Sequence, residues 1–206
     1  MPLNTAVKSE VSKKLETYEG RISHLYLDTI GKVTVGIGNM IPNKAAMNSF
    51  SMYKVSANKQ FIIASLADKE AEFDVIKKLP FGRNYSASSF KKHSSLIIKD
   101  VDIDIQREKH IQSFYKELLR YYSVANGFNK SFDNMPIEAQ LALFDMVFNL
   151  GITKLKNQYV KFNSLIKQEK WAEAAKQSNR VGISPIRNQY VMKLLKLAQQ
   201  KITKVP

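Results

Sequence analysis

Cysteine is absent, which excludes disulfide staples and thiolate metal sites while leaving reducing and oxidising compartments both open. Long apolar runs are missing too. The longest, such as Phe61-Ile62-Ile63-Ala64, fall far short of the roughly 18 consecutive apolar residues of a membrane-spanning helix, so no transmembrane segment is expected. The opening Met1-Pro2-Leu3-Asn4-Thr5-Ala6-Val7-Lys8 has no apolar stretch leading to a small-residue cleavage site, so no signal peptide is expected. Histidines are few and scattered: His24, His93 and His110 have no second histidine or carboxylate at metal-ligand spacing, and no metal site is expected. Internal repeats and low-complexity tracts are absent.

Acidic residues are scarce. Against 32 Lys plus Arg stand 18 Asp plus Glu, a formal net charge of +14 whose positive field gathers polyanions such as nucleic acid, envelope polymers and acidic lipids. The basic residues come in pairs, Lys13-Lys14, Lys77-Lys78 and Lys91-Lys92, and never in a block, which favours a solvated or steering charge over a dedicated binding stripe. A hydrophobic share of 44% over 206 residues is enough for a sizeable core, which argues against disorder.

Periodicity supplies the elements. Val7, Val11, Leu15 and Tyr18 fall on one face of a helix over residues 4–19, and Gly20 stops it, leaving Glu19 in the last turn. From Leu25 to Gly38 the period drops to 2, with Val33, Val35 and Ile37 alternating with Thr34, Gly36 and Gly38 after a turn at Asp28-Thr29-Ile30-Gly31; this is a hairpin with one apolar and one open face. A helix is expected over about 57–78, with Phe61, Ile62, Leu66, Phe73 and Ile76 as its apolar side, followed by a serine-rich loop over 83–95. A long helix over about 100–122 connects to a helical half, in which Leu141 to Leu150 reads as a helix buried on every side and Trp171 as a core residue. Shorter helices are expected over 159–168, 171–177 and 185–201.

Glycosidic hydrolysis needs a proton donor, a carboxylate that positions water, and a groove for sugar. Glu19 and Asp28, nine residues apart at a helix end and a hairpin turn, supply carboxylates that can face each other across a cleft, and Thr34 on the open hairpin face can hold a water near Asp28. Spacing alone carries this weakly, because a glutamate ending a helix before glycine is common.

The residues also match in kind. Glu19-Gly20, Tyr26, Asp28, Gly31, Thr34, Gly36, Ile37 and Gly38 closely resemble the signature of the phage-type lysozymes, the bacteriophage T4-like muramidases of glycoside hydrolase family 24, with no gap in the intervals. Further on, Ala142 to Gly151 is similar to that family's central buried helix, and Lys170-Trp171-Ala172-Glu173-Ala174-Ala175 and Pro185-Ile186-Arg187 to its closing helices. The resemblance covers about residues 10–39 and 96–200; the segment between Met40 and Leu96 is longer than in phage members and only weakly similar. Two positions depart: Asn39 stands where the family has histidine, and Asn149 where it has glutamine.

What the resemblance implies is a single lysozyme-like domain over 1–206, α+β and mostly α, with a two-lobe fold: an N-terminal helix over about 4–19, a hairpin-containing lobe over about 20–98 and a helical lobe over about 99–206. Glu19, Asp28 and Thr34 become the catalytic triad, and Gly38, Asn39, Asn149 and Arg187 the substrate-binding or supporting residues, with Arg187 near Glu19. The implied reaction cleaves the β-1,4 bond between N-acetylmuramic acid and N-acetylglucosamine in peptidoglycan with inversion, and it needs no metal and no cofactor. A monomer acting on glycan strands is expected, made in the cytoplasm and reaching the wall after holin release or through a secretion machine. A delivered antibacterial effector would have the delivery machinery and an immunity protein as partners; a phage endolysin would not. The reading from a different class is a catalytically inactive basic module that binds cell wall or nucleic acid on the same scaffold.

Overall fold

The structure, a computed structural model, describes residues 2–203. The fold is α+β and mostly helical. The chain divides into two compact units, one formed by Lys14–Lys109, the other by the residues up to Lys13 together with those from His110 onward. Helices α1 (Thr5–Glu19) and α3 (Asp100–Tyr121) each begin in one unit and end in the other.

In the first unit α1 ends at Glu19, and β1 (Ile22–Leu27), β2 (Val33–Gly36) and β3 (Asn39–Met40) follow as an antiparallel meander in the order β1-β2-β3. Leu25, Leu27, Val33 and Val35 are buried, so one face of this sheet builds core, as the alternation predicts; Thr34 and Gly36, on the face expected to be open, are buried as well. The expected single hairpin is a three-stranded sheet, because the chain turns again at Gly36 and Gly38, both at positive φ, and brings Asn39 back beside Val35. A second sheet, order β5-β4-β6, is built from β4 (Tyr53–Val55), β5 (Phe61–Ile63) and β6 (Leu96–Ile97).

The helix expected over about 57–78 forms only from Leu66 to Lys77. Its first third is the β4–β5 hairpin, closed by the Ser56 amide donating to the Gln60 carbonyl at 2.9 Å, with Lys59 in the left-handed region. Phe61, Ile62 and Ile63, aromatic and β-branched, suit a strand, and all three are exposed. Helix α2 (Leu66–Lys77) starts only after a capping box in which Ser65 and Asp68 satisfy each other's backbone amides. The serine-rich stretch carries a 3₁₀ turn over Ala87–His93. Beyond it the buried Glu72 on α2 accepts from the amides of Ser95 and Leu96 at 2.7 and 2.9 Å and from the hydroxyls of Ser94 and Ser95. Four donors on one carboxylate offset the cost of burying it.

In the second unit α4 (Ile137–Gln158) breaks at Gly151, where φ 68 and ψ 154 leave the helical region. Its residues 142–147 are all buried, matching the helix expected to be enclosed on every side. Helices α5 (Val160–Lys167), α6 (Trp171–Lys176) and α7 (Pro185–Thr203) follow, with α4 and α6 both packed on α7 and Trp171 fully buried. Among the described residues no helix is long and apolar enough to cross a membrane.

Candidate active site

Strand register sets out the first unit's polar face. Tyr26 pairs with Thr34, and Thr34 with Met40, so these three side chains share one face; Asp28, two residues beyond Tyr26, continues it. The Asp28 turn is closed on itself. The Asp28 amide donates to the Lys32 carbonyl at 2.9 Å, and the Asp28 carbonyl accepts from Gly31 at 3.0 Å. The carboxylate Oδ1 accepts from the amides of Ile30 at 3.0 Å and Lys32 at 2.8 Å, while Oδ2 accepts no hydrogen bond among the described residues. One oxygen is thus fixed by backbone and the other is available. Thr34, only 4% exposed, donates its hydroxyl to the Lys32 carbonyl at 3.0 Å, so a further partner of Oγ1 would donate to it.

Glu19 closes α1 just before the sheet. The Gly38 backbone lies against it: a Cβ built on Gly38 would stand 3.5 Å from Glu19 Oε2 and 3.7 Å from its Cβ. Tyr26 registers both acids, since burial first, then the charges of Glu19 and Asp28, push its phenol up to about 12. The two carboxylates therefore lie within electrostatic reach of one tyrosine. Asn39 is 3% exposed, its side chain crowds Gly36, and its buried Nδ2 has no hydrogen-bond partner among the described residues.

Asn149 and Arg187 belong to the second unit, where they join a buried network. Asp145 on α4 bonds Arg180 Nη1 through Oδ1 at 2.6 Å and Arg187 Nε through Oδ2 at 3.1 Å. Arg180 Nη1 also donates to the Asn149 side-chain oxygen, and the Arg187 guanidinium stands 5.7 Å from the Phe148 ring centroid. Sequence reasoning missed Asp145 and Arg180. A carboxylate inside the apolar run Leu141 to Leu150 was the available signal, because a buried charge needs a cation beside it. Among the described residues no group of three or more His, Cys, Asp or Glu is arranged to hold a metal ion.

A helix leading into a small sheet, followed by a helical unit around one enclosed helix, makes this an α+β, lysozyme-like fold. No family model matches the chain. Two curated proteins of Dictyostelium discoideum are similar to it. One, "Probable T4-type lysozyme 2", is 25% identical over 167 residues, covering 81% of this chain and 80% of its own length. The other, "Probable T4-type lysozyme 1", is 26% identical over 172 residues, covering 82% of this chain and 81% of its own length.

Proposed function

We propose that the protein is a peptidoglycan muramidase that cleaves the β-1,4 bond between N-acetylmuramic acid and N-acetylglucosamine with inversion of configuration. Glu19 is the general acid and protonates the bridging oxygen. Asp28 and Thr34 hold the attacking water: with Asp28 Oδ1 occupied by backbone amides and the Thr34 proton given to Lys32, Asp28 Oδ2 and Thr34 Oγ1 both face a water as acceptors. A water that donates both protons keeps its lone pair for the anomeric carbon, and its proton passes to Asp28 as the bond forms. Inversion requires carboxyl groups about 6.5 to 9.5 Å apart, room enough for that water.

The observation that supports this reading most is the register that sets Tyr26 beside Thr34, with Asp28 in the adjoining turn and Glu19 against Gly38. The likeness to two proteins named as T4-type lysozymes supports it across four-fifths of the chain. Gly38 keeps the approach to Glu19 open, and the buried Asn39 Nδ2 is a donor that a sugar acceptor would satisfy. Arg187 and Asn149 act as supporting groups. The positive field concentrates the protein on the anionic wall, where the reaction is bacteriolytic.

The test scores new reducing ends on purified peptidoglycan with wild type and Glu19→Gln. Wild-type release with a loss of several orders of magnitude in the glutamine variant is expected. Equal activity in both removes Glu19 as the acid, and no activity in either favours a silent wall-binding module.

A further inference from the structure

One of the two amides that hold Asp28 is gripped from behind. The amide of Lys32 donates to Asp28 Oδ1 at 2.8 Å; the carbonyl of that same peptide unit is Gly31's, and it accepts from Lys77 Nζ at 2.6 Å. Lys77 ends α2, inside the segment that carries only weak resemblance to phage-type lysozymes. A lysine in a last helical turn ordinarily serves its own helix's free carbonyls, yet this one reaches the turn 46 residues earlier. An ammonium on a carbonyl polarises the peptide and strengthens its N–H as a donor, so the lysine charge is felt at Asp28 through one amide.

The same glycine is pressed by a ring. A Cβ on Gly31 would stand 2.7 Å from Phe81 Cζ and 2.8 Å from Cε1, so the phenyl edge rests on the bare α-carbon, which only glycine at φ +75 permits. Phe81 is itself 52% exposed, while the glycine beneath it is buried. An apolar ring left half in water is poorly used as core; here it caps the turn.

We infer that Lys77 and Phe81 are positioning residues for the water-holding carboxylate. Lys77 charges the peptide that binds Asp28 Oδ1, and Phe81 stops the Gly31 peptide from rotating away, so that Oδ2 keeps its aim. The inference rests on the reading of Asp28 proposed above. It gives the segment after the meander a part in the chemistry: α2 and the residues just beyond it hold the turn that carries the carboxylate.

The experiment measures initial rates against peptidoglycan concentration, with thermal unfolding in parallel, for full-length wild type, Lys77→Met, Lys77→Arg, Phe81→Ala, Asp28→Asn and the Lys77→Met, Asp28→Asn pair. Lys77→Met is expected to lower kcat by about 10- to 100-fold, the cost of a misaimed catalytic group, with KM nearly unchanged. Lys77→Arg recovers most of the loss because a guanidinium can donate to the same carbonyl, and Phe81→Ala, at a half-exposed position that spares the core, also lowers kcat and not KM. The double variant is no slower than Asp28→Asn alone. Wild-type kcat in both Lys77→Met and Phe81→Ala overturns the inference, as does an arginine variant as impaired as methionine, or a further loss in the double variant. Full activity in Asp28→Asn instead removes the underlying reading of Asp28, a result distinct from the others.

Discussion

Gly38 couples backbone conformation to the acid at the end of α1. It sits at φ +67, where a side chain costs roughly 1–2 kcal/mol, and its α-carbon is the surface that Glu19 leans on. The distances to Glu19 from a Cβ there, 3.5 to 3.8 Å, are ordinary contacts, so the strain of Gly38→Ala is conformational and not steric. The added methyl also fills space beside the carboxyl. The variant should lose about 2–8 °C in Tm, at about 2–4 °C for each kcal/mol in a chain of this size, and more than tenfold in kcat. A wild-type kcat at lowered Tm would mean that sugar does not approach Glu19 from the Gly38 side. At this scale the sequence singled out Glu19, Asp28 and Thr34 by kinds and intervals that resemble a known signature, and their catalytic role stands as a proposal. The sequence was least readable at Lys77 and Phe81, because a lysine pair and a phenylalanine between Pro80 and Gly82 carry no periodic signal and gain meaning only from the turn they touch.

At the scale of elements, the outcome followed from which signal was strongest locally. The run through residues 142–147 has one physical solution, a helix enclosed by others, and the chain adopts it. Between residues 57 and 65 the helical spacing of Phe61 and Ile62 with later apolar positions was accidental. Three consecutive aromatic and β-branched residues and a capping box at Ser65 outweighed it. Within residues 142–147 Asp145 is the one polar side chain, and it ties α4 to Arg187 on α7 and to Arg180 in the stretch before it. Arg180 is fully buried, so Asp145→Ala strands a guanidinium in the core and should cost about 3–5 kcal/mol of unfolding free energy by denaturant titration. A loss below about 1 kcal/mol, the worth of an exposed pair, would show that the network is solvated in practice.

For the molecule as a whole, charge and pH set the working range. His110 on α3 is half-buried near the Phe114 ring, and burial lowers its pKa below 6.5. Its folded value being depressed, the unfolded chain binds the extra proton first, so the stability tied to it is complete above about pH 6.5 and is lost as the pH falls through the folded value. His110→Leu should therefore flatten the fall of Tm between about pH 6.5 and 5, and an unchanged slope would place the acid sensitivity elsewhere. The function proposed above also belongs to this scale, supported by the lysozyme-like fold and by the likeness to the two Dictyostelium proteins across four-fifths of the chain.

That claim is tested most directly by proton NMR of a fresh peptidoglycan digest, read before the new reducing ends mutarotate. Inversion predicts N-acetylmuramic acid reducing ends released first as the α-anomer, the product of water attack opposite the cleaved β-bond. A β-anomer in the earliest spectra would make Asp28 a nucleophile in place of a water holder, and N-acetylglucosamine reducing ends, or none, would contradict the muramidase assignment itself.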